Sequence, residues 1–532
     1  MIRSSFGWLL IFLLAALLLT AGGRIAPQDE ETTFRMTANL WQGRLTITNQ
    51  SITVEPQTYA GFLPHASARD FITTWSGPGR DGQTYPQYTH AQSLLEIPLY
   101  LIGSILGGPA TTLSAVALTR FFTSLFNSIL TALTGWLIAL FARRLGLSVR
   151  LSLGLSLAYV FGSMALAYTH TNFSEPLLVF LLLGGAYALY SARLDPQRAR
   201  RWLFIGGCAL GLACYTRERS AIMLPAFCLY VFMIRRGDWR SWLIFLIPIG
   251  LAGAAIGAWN WLRFGSPLIT SYAAWQPETG FGTPIVVGLY GLLLSPGKGL
   301  LLYNPIAWLG LSGLATLFRR QFAEALLFSL SLLVPVLFFA RYDLWTGGWN
   351  WGPRYLLPAL PFLILAAGVW LNDKPSRLRR TIMVGLCLIG IVINLPVVLV
   401  DHSRYLIAFG ERDPDHYLSR SILQFQDSPI VQQWPAVFEV FGLYTKPDSW
   451  RAAQRAVDDH LLSYTGPNDV EALSTQLLWI DEFFRLNVPD FWYVHLLLLG
   501  FSPLLIGLAV VGLIGLAVGS GWRVMQGLRG AG

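Results

Sequence analysis

Three consecutive acidic residues follow the first long apolar run of this 532-residue chain: Asp29, Glu30 and Glu31. A carboxylate in this position could accept the proton of an attacking hydroxyl group, which is general base catalysis. The same acids could instead stabilise the start of a helix, whose N-terminal end favours negative charge. Both interpretations stay open, and the catalytic one assigns the chemistry to Asp29 and Glu30.

A fourth acid, Glu175, stands before Pro176 at the start of a later apolar run. Proline is common in the first turn of a helix, so a helix is predicted to begin here. A glutamate at a membrane boundary costs more free energy than a serine would, which favours a functional role for Glu175. A purely structural role remains open at this stage.

Two basic segments could bind an anion. Arg217 and Arg219 flank a glutamate between two short apolar runs, and paired guanidinium groups can hold a phosphate through parallel hydrogen bonds. The structural alternative is an ion pair with Glu218 and contact with lipid headgroups. Lys298 stands between two glycines, which lets its ammonium group and the neighbouring backbone N–H groups approach an anion closely.

Residues 343–355 combine three tryptophans, three glycines and Arg354. Tryptophan is common at the membrane–water interface, and aromatic faces also bind the C–H surfaces of sugars and polyprenyl chains. The glycine content is unusual for an interfacial belt alone, so Trp349 and Arg354 are predicted to contact a substrate. The seven histidines show no ligand spacing for zinc.

A membrane-embedded scaffold must position these residues, because 54% of the chain is hydrophobic, 13% is charged and the mean hydropathy is +0.51. Soluble domains carry roughly 25% charged residues. The net charge of +9 would suggest a nucleic-acid partner for a soluble protein. Here the positive charge lies in short loops between apolar runs, so membrane lipids and not nucleic acid are the expected surroundings.

Apolar runs of about 17–25 residues are long enough to cross the hydrocarbon core of a bilayer. The sequence predicts an all-α polytopic membrane protein with about twelve transmembrane helices, at residues 6–21, 112–141, 151–168, 173–192, 202–215, 221–234, 242–261, 300–318, 322–340, 355–371, 382–400 and 492–518. A further run, residues 93–106, is short and contains Glu96 and Pro98. We interpret it as an interfacial helix on the outer surface, after the first span.

The distribution of charge supports this topology. With residues 93–106 on the outer surface, the loops of one side hold 19 basic and four acidic residues, and the other side holds 19 basic and 25 acidic residues. Loops rich in lysine and arginine stay in the cytoplasm. Both termini are therefore predicted to be cytoplasmic, in a multi-pass protein of the bacterial plasma (inner) membrane.

The chain is predicted to have three parts. Residues 1–400 form a membrane-embedded core, whose first external loop spans residues 22–111. Residues 401–490 form a small polar extracytoplasmic region, and apolar residues at three- and four-residue spacing predict that it is mostly helical. Residues 491–532 supply the last transmembrane helix and a cytoplasmic tail.

Taken in order, these segments resemble the C-type glycosyltransferases (GT-C), integral membrane enzymes that use sugars linked to polyprenyl or dolichyl phosphate. The chain is most similar to the branch with the protein O-mannosyltransferases and the aminoarabinose transferases that modify lipid A. The resemblance covers roughly residues 1–400. The matching segments are Asp29-Glu30, Tyr85-Pro86-Gln87-Tyr88, residues 92–95, Arg120, Glu175-Pro176, and residues 260–267, 295–299 and 347–358.

The resemblance implies that a sugar is transferred, with inversion, from a polyprenyl-phosphate donor to a glycan, lipid or protein acceptor on the extracytoplasmic face. Asp29 is similar to the general base of the family. Glu175 is similar to the acid that lines its sugar or metal site, which makes Mg²⁺ or Mn²⁺ a candidate cofactor. The resemblance further implies contacts with the leaving phosphate or the rest of the substrate from Arg217, Arg219, Lys298, Arg354, Tyr85, Tyr88 and Trp349.

One departure from the family keeps two other functions open. Relatives often carry a lysine, or an acid together with a lysine, where this chain has Gln87 between Tyr85 and Tyr88, so a charge is missing from the expected donor site. An inactive scaffold that retains the fold would explain that loss. A multi-span transporter or flippase for lipids or sugars would need a polar path at mid-membrane, but few ionisable residues lie deep in the predicted spans.

Overall fold

The structure of the protein, a computed structural model, describes residues 2–26, 28–48, 51–53, 62, 70–72, 74–108, 111–373, 376–462 and 468–530. Within these ranges the chain is predominantly helical, and the sheets are two antiparallel pairs of three-residue strands. Parts of the predicted first external loop, residues 22–111, lie outside the described residues, as do Pro27 and Lys374.

The helices are α1 (Ile2–Thr20), α2 (Asp29–Trp41), α3 (Ala91–Gly107), α4 (Leu113–Ser124), α5 (Phe126–Arg144), α6 (Val149–Phe161), α7 (Glu175–Leu194), α8 (Ala199–Thr216), α9 (Leu224–Ile234), α10 (Trp239–Phe264), α11 (Ser271–Trp275), α12 (Ile285–Leu293), α13 (Leu300–Tyr303), α14 (Ala307–Arg320), α15 (Phe322–Arg341), α16 (Leu360–Asp373), α17 (Arg377–Asn394), α18 (Pro396–Leu399), α19 (Ser403–Arg412), α20 (Tyr417–Leu423), α21 (Pro429–Leu443), α22 (Pro447–Leu462), α23 (Val470–Asn487), α24 (Trp492–Leu498) and α25 (Pro503–Gly530). Short 3-10 helices are at Ala167–His170, Pro196–Arg198, Glu218–Met223 and Arg354–Ala359. The strands are β1 (Ser51–Thr53), β2 (Asp70–Ile72), β3 (Ser76–Pro78) and β4 (Thr84–Pro86).

Each of the twelve predicted apolar runs overlaps one or two of these helices. Within the described residues, seven helical stretches are long and apolar enough to cross a membrane: Leu113–Arg144, Glu175–Leu194, Trp239–Phe264, Phe322–Arg341, Arg354–Asp373, Arg377–Leu399 and Pro503–Gly527. Helices α10 and α25 expose most of their apolar side chains, which is typical of helices that face lipid. The protein is therefore an all-α polytopic membrane protein, as predicted.

Some predicted runs are broken where the backbone cannot continue as one helix. The run at residues 300–318 consists of α13 and α14, because Pro305 has no N–H to donate. Asn304 in the break accepts a hydrogen bond from the backbone N–H of Met164 at 2.9 Å. The break thereby ties α13 to the turn that follows α6.

Glycines let the helices that carry the later site residues pack closely. A Cβ at Gly207 of α8 would lie 2.2 Å from the carbonyl oxygen of Phe245 in α10. A Cβ at Gly313 of α14 would lie 2.0 Å from the carbonyl oxygen of Ala366 in α16. Because α8 ends just before Arg217 and α16 follows the 3-10 helix that begins at Arg354, these contacts also place two arginines of the site.

Helix α3 contains the predicted interfacial run and packs along α4, with Gly103 against Thr119. It buries Glu96 on its protein side. It exposes a row of apolar side chains, Leu94, Leu95, Ile102, Ile105 and Leu106. A helix that packs against the protein on one side and exposes apolar side chains on the other can lie at the boundary between bilayer and water.

Candidate functional site

A cavity of about 620 Å³ lies where the start of α2 meets the turns that follow α8 and α15. The polar region at the C-terminal end of the chain supplies another part of the wall, through Asp401, His402, Glu482 and Arg485. The residues predicted from the sequence that line this cavity are Asp29, Glu30, Tyr88, Arg217, Arg219, Trp349 and Arg354. The fold thus brings together most of the residues that the sequence motifs singled out.

The three consecutive acids of α2 have three different surroundings, because successive helical side chains are turned by about 100°. Asp29 and Glu30 both line the cavity. Glu31 is fully buried and pairs with Arg35 at 2.6 Å and with Arg120 at 2.5 Å. Glu31 therefore has a structural role, and Asp29 and Glu30 are the two carboxyl groups that a ligand can reach.

The backbone is strained directly before Asp29. Gln28 has a φ of 66°, and it is the only non-glycine residue with a positive φ in the described part of the chain. Such conformations cost of order 1–3 kcal/mol and concentrate at functional sites. The carbonyl oxygen of Gln28 accepts a hydrogen bond from the N–H of Thr32 at 2.9 Å, and Gln28 forms an isolated bridge with Thr74. These contacts fix the direction in which α2 presents Asp29.

Asp29 is surrounded by three donors. The hydroxyl of Tyr88 donates a hydrogen bond to Oδ1 of Asp29. Nη2 of Arg217 lies 3.5 Å from Oδ1, and Nη1 of Arg354 lies 3.4 Å from Oδ2. Both distances exceed the 2.7–2.9 Å of a strong charged hydrogen bond. The two guanidinium groups therefore keep the capacity to bind a second anion.

A second carboxylate, Glu175, faces the same group of arginines. Nη2 of Arg219 donates to Oε1 of Glu175 at 2.8 Å, and the guanidinium of Arg219 lies 4.4 Å from the ring centre of Tyr355. Nε of Arg354 is 4.0 Å from Oε1 of Glu175. In the described residues neither Nε of Arg354 nor Oε2 of Glu175 has a hydrogen-bond partner. Three guanidinium groups face two carboxylates, which leaves an excess of positive charge.

The carboxyl groups at the start of α2 differ in their pKa. Burial disfavours the charge of Asp29, but Arg354 and Arg217 outweigh it and hold the pKa of Asp29 below its usual value. Burial raises the pKa of Glu30 to about 7. Burial and the nearby Asp29 carboxylate raise the pKa of Tyr88 well above its usual value. At neutral pH Asp29 is ionised, Tyr88 is a neutral donor, and Glu30 is close to its titration point.

A tight turn presents Trp349 to the cavity. Gly347 and Gly348 have φ values of 72° and 84°, which side chains other than glycine rarely adopt. Nζ of Lys298 donates to the carbonyl oxygens of Gly348 at 3.0 Å and Asn350 at 2.7 Å. Lys298 lies outside the cavity lining and holds this turn, in place of the direct phosphate contact expected from the sequence.

Two other predicted residues have different positions from the expected ones. The hydroxyl of Tyr85 donates to Asp81 at 2.8 Å and its ring packs against Trp259, so Tyr85 lies away from the cavity. Glu175 lines a small neighbouring crevice and reaches the site through Arg219. Gln87, the departure from the family pattern, does line the main cavity.

A second charged group at the cavity was not anticipated from the sequence. Arg24 pairs with Asp490 at 2.8 Å and also with Asp401, and Nδ1 of His170 lies 3.0 Å from Asp490. These residues come from distant parts of the chain, so no local spacing connects them. The available signal was Arg24 itself, a positive residue on the side predicted to lie outside.

A divalent cation does not fit the residues present. In the described ranges no group of three or more histidine, cysteine, aspartate or glutamate side chains could hold a metal ion. Asp29 and Glu175 face arginines, whose positive charge disfavours a cation at the same place. This disagrees with the Mg²⁺ or Mn²⁺ that the family resemblance suggested.

No family model matches the sequence, and no curated protein matches it significantly. The structure is similar to two crystal structures of ArnT from Cupriavidus metallidurans, one in the apo state and one bound to undecaprenyl phosphate, with TM-scores of 0.47 and 0.46. Each is 16% identical and covers 92% of this chain and 78% of the ArnT chain.

The structure is also similar to the archaeal oligosaccharyltransferase AglB from Archaeoglobus fulgidus, solved in complex with an inhibitory peptide and a dolichol-phosphate. Here the TM-score is 0.41 and the identity 13%, over 87% of this chain and 60% of the AglB chain. The likeness is distant in each case, so the function must follow from the contacts in the cavity.

Proposed function

We propose that the protein transfers a sugar from a polyprenyl-phosphate donor to a hydroxyl group of an acceptor bound in this cavity. The observation that carries the proposal is the convergence of Arg217, Arg219 and Arg354 on Asp29 and Glu175, with Nε of Arg354 left unpaired. Groups of arginines suit a phosphate, because their N–H groups match its oxygens in pairs. A phosphate carried on an apolar chain suits a protein embedded in lipid.

The surroundings of the arginines suit the rest of such a donor. Trp349 lines the cavity and offers an aromatic face for the C–H surface of a sugar. Beside Arg219, the small crevice is lined by apolar side chains that include Leu178, Leu182 and Phe339. The apolar chain of the donor would leave the cavity on this side of Arg219, between α7 and α15.

In the proposed reaction the acceptor hydroxyl oxygen bonds to C1 of the sugar while the bond from C1 to the phosphate oxygen breaks. The hydroxyl proton passes to the ionised carboxylate of Asp29. The electron pair of the broken bond stays on the phosphate, whose charge the arginines stabilise. A single displacement of this kind inverts the anomeric carbon. Arg217 and Arg354 supply the positive charge that Gln87 does not.

We place this reaction on the extracytoplasmic face of a bacterial inner membrane. With twelve spans and both termini in the cytoplasm, the start of α2, the turns after α8 and α15, and residues 401–490 all lie on the outer side. These are the segments that line the cavity. The division into a core of residues 1–400, an outer region of residues 401–490 and a last span with its tail belongs to the same proposal.

Donor turnover tests the proposal. Purified protein in lipid nanodiscs is incubated with polyprenyl phosphates that carry a hexose, a pentose or an aminopentose, with membrane extract as the source of acceptor. Mass spectrometry measures the free polyprenyl phosphate released. We expect release from at least one donor, and little release by the Arg217→Gln, Arg354→Gln double variant. Release from no donor, or undiminished release by a folded double variant, would contradict the proposal.

A further inference from the structure

The region between α20 and the end of α21 exposes large apolar side chains on a polar part of the chain. Leu423 and Phe425 are 48% and 62% exposed, and Phe438 and Phe441 are 68% and 41% exposed. Trp434, Phe438 and Phe441 recur at spacings of four and three residues, so they share one face of α21. We call Leu423, Phe425, Trp434, Phe438 and Phe441 the apolar rim.

The other face of α21 is fully occupied by the protein. Ala436, Val437 and Val440 are buried, and Val437 and Val440 pack with Val400. Gln433 is also buried and donates through Nε2 to the carbonyl oxygen of Val400 at 2.6 Å. These contacts hold α21 in place, so the exposure of its apolar side chains is a property of the fold.

Two hydrogen bonds connect Trp434 of the apolar rim, and Ile422 next to Leu423, to segments at the ends of apolar helices. The indole Nε1 of Trp434 donates to the carbonyl oxygen of Val392 near the end of α17 at 3.0 Å. The N–H of Gly297, after α12, donates to the carbonyl oxygen of Ile422 at 3.1 Å. Val392 and Leu294 are themselves exposed, so the rim continues the apolar outer surfaces of α17 and α12.

We infer that the apolar rim inserts into the outer leaflet of the membrane, at the boundary between headgroups and acyl chains. Lipid that covers the exposed Val392 and Leu294 lies next to the rim, which argues for lipid rather than a protein partner as its occupant. Trp434 has the position and the hydrogen bond typical of tryptophan at this boundary. Large exposed apolar patches on a well-packed helix indicate an interaction surface.

Insertion of the rim would hold the polar region of residues 401–490 at a fixed height above the bilayer. Helix α19 packs against α21. It directly follows Asp401 and His402 and carries Ile407, and these three residues lie on the wall of the cavity. The depth of the cavity relative to the headgroups would then depend on the rim. The inference does not depend on the proposed reaction, and its assignment to the outer leaflet rests on the proposed topology.

Spin-label accessibility tests the inference in nanodiscs that contain the protein as the sole polypeptide besides the scaffold. Nitroxide labels are placed by Phe438→Cys and Phe441→Cys in a chain whose four native cysteines are replaced by alanine. Leu508→Cys, on the exposed apolar face of α25, is the reference for lipid. Asp448→Cys, at an exposed acid of α22, is the reference for water.

We expect the labels at 438 and 441 to collide readily with oxygen and rarely with a water-soluble nickel chelate, as the label at 508 does. Collision with the nickel chelate at the rate seen for position 448 would overturn the inference, and it is the result that a surface reserved for a protein partner would give.

If the cysteine-free chain does not fold, a photoreactive amino acid in the native chain provides a second test. p-Benzoylphenylalanine replaces Phe438 in the otherwise native chain, and Leu508 in a matched control. Illumination in nanodiscs should give a lipid adduct at both positions. A lipid adduct at 508 without one at 438 would overturn the inference.

Discussion

Asp29 and Glu30 are neighbours in sequence, yet their carboxyl groups are tuned in opposite directions. Asp29 points at Arg217 and Arg354, and their charge holds its pKa below the usual value against the effect of burial. Glu30 is 2% exposed and accepts a hydrogen bond from the N–H of Ala26, but burial dominates and raises its pKa to about 7. Adjacent positions at the start of α2 thus hold a carboxylate that is ionised at neutral pH and a carboxyl group that titrates near pH 7.

This difference predicts a pH-dependent contribution of Glu30 to stability. The folded pKa of about 7 lies above the ordinary value of 4.5, so the folded state favours the protonated form. Its stabilisation is complete below about pH 4.5 and is lost as the pH rises to about 7. Relative to Glu30→Gln, which stays neutral, the wild type should lose about 3 kcal/mol of unfolding free energy across this window.

Thermal unfolding of both proteins in detergent between pH 4 and pH 8 measures this difference. The gap between the two midpoints should change up to about pH 7 and then level off. Parallel curves over the whole range would show that Glu30 is ionised in the folded protein.

Arg354 is the arginine whose geometry matters most for the donor, because its Nε has no hydrogen-bond partner in the described residues and its Nη1 lies 3.4 Å from Asp29. Lysine keeps the charge but lacks the planar set of paired donors. Arg354→Lys should therefore raise the donor KM by about tenfold or more, since one charged hydrogen bond contributes about 1.5–3 kcal/mol.

The matched control for this prediction is Arg341→Lys, at an exposed position at the end of α15. Donor titrations of the turnover assay compare the two variants with the wild type. An unchanged donor KM in Arg354→Lys, with the control also unchanged, would remove Arg354 from the phosphate site.

The sequence indicated which residues meet at the cavity better than it indicated where their side chains point. Asp29, Arg217 and Arg354 each stand beside the outer end of a predicted span, so topology alone brought them to one surface. Lys298 met the same criterion, but it holds the turn at Gly348. Tyr85, in the first external loop, bonds Asp81 instead of facing the cavity. The direction in which a side chain points depends on its tertiary contacts, and a single sequence does not reveal those contacts.

At the scale of elements, α2 is held in place by a buried ionic network. Arg120 of α4 donates to Glu31 of α2 at 2.5 Å and to Asp481 of α23 at 2.6 Å. It also donates to the carbonyl oxygen of Ile25 at 2.8 Å. A single guanidinium group therefore joins the helix that presents Asp29 to the C-terminal polar region.

Removal of that group should destabilise the protein strongly. Arg120→Ala leaves Glu31 and Asp481 buried with fewer partners, and breaking a buried ion pair from one side costs about 3–5 kcal/mol. Arg44→Ala, at an exposed arginine just after α2, should change stability by less than about 0.5 kcal/mol. Thermal unfolding in detergent, with limited proteolysis around α2, distinguishes the two. Equal midpoints for both variants would mean that the network does not hold α2.

The existence of the helices was predictable, and their interruptions were not. Seven of the predicted runs overlap helical stretches of the described chain that are long and apolar enough to cross a membrane, because length and composition decide whether a segment can cross lipid. Hydropathy did not show the break at Asn304 and Pro305, or the separation of α4 from α5 at Leu125. Such breaks depend on which side chains satisfy the freed backbone groups, as Asn304 does for Met164.

For the whole molecule, the proposed reaction requires that the cavity opens on the outer side of the membrane. A membrane-impermeant thiol reagent applied to intact cells should label Asp415→Cys, which lies in the loop between α19 and α20. It should label Gln197→Cys, between α7 and α8, only after the membrane is permeabilised. Both positions are exposed. The reverse pattern would place the cavity in the cytoplasm and rule out the proposed topology.

The central claim is that Asp29 accepts the proton of the attacking hydroxyl beside arginines that bind a phosphate. The most direct test compares the rates of sugar transfer by the wild type, Asp29→Asn and Asp81→Asn. Asp81→Asn is the matched control, because Asp81 is bonded to Tyr85 and lies outside the cavity lining. We expect Asp29→Asn to remain folded and to lose about 10²- to 10⁴-fold in rate, while Asp81→Asn transfers like the wild type. Transfer by a folded Asp29→Asn at the wild-type rate would contradict the account.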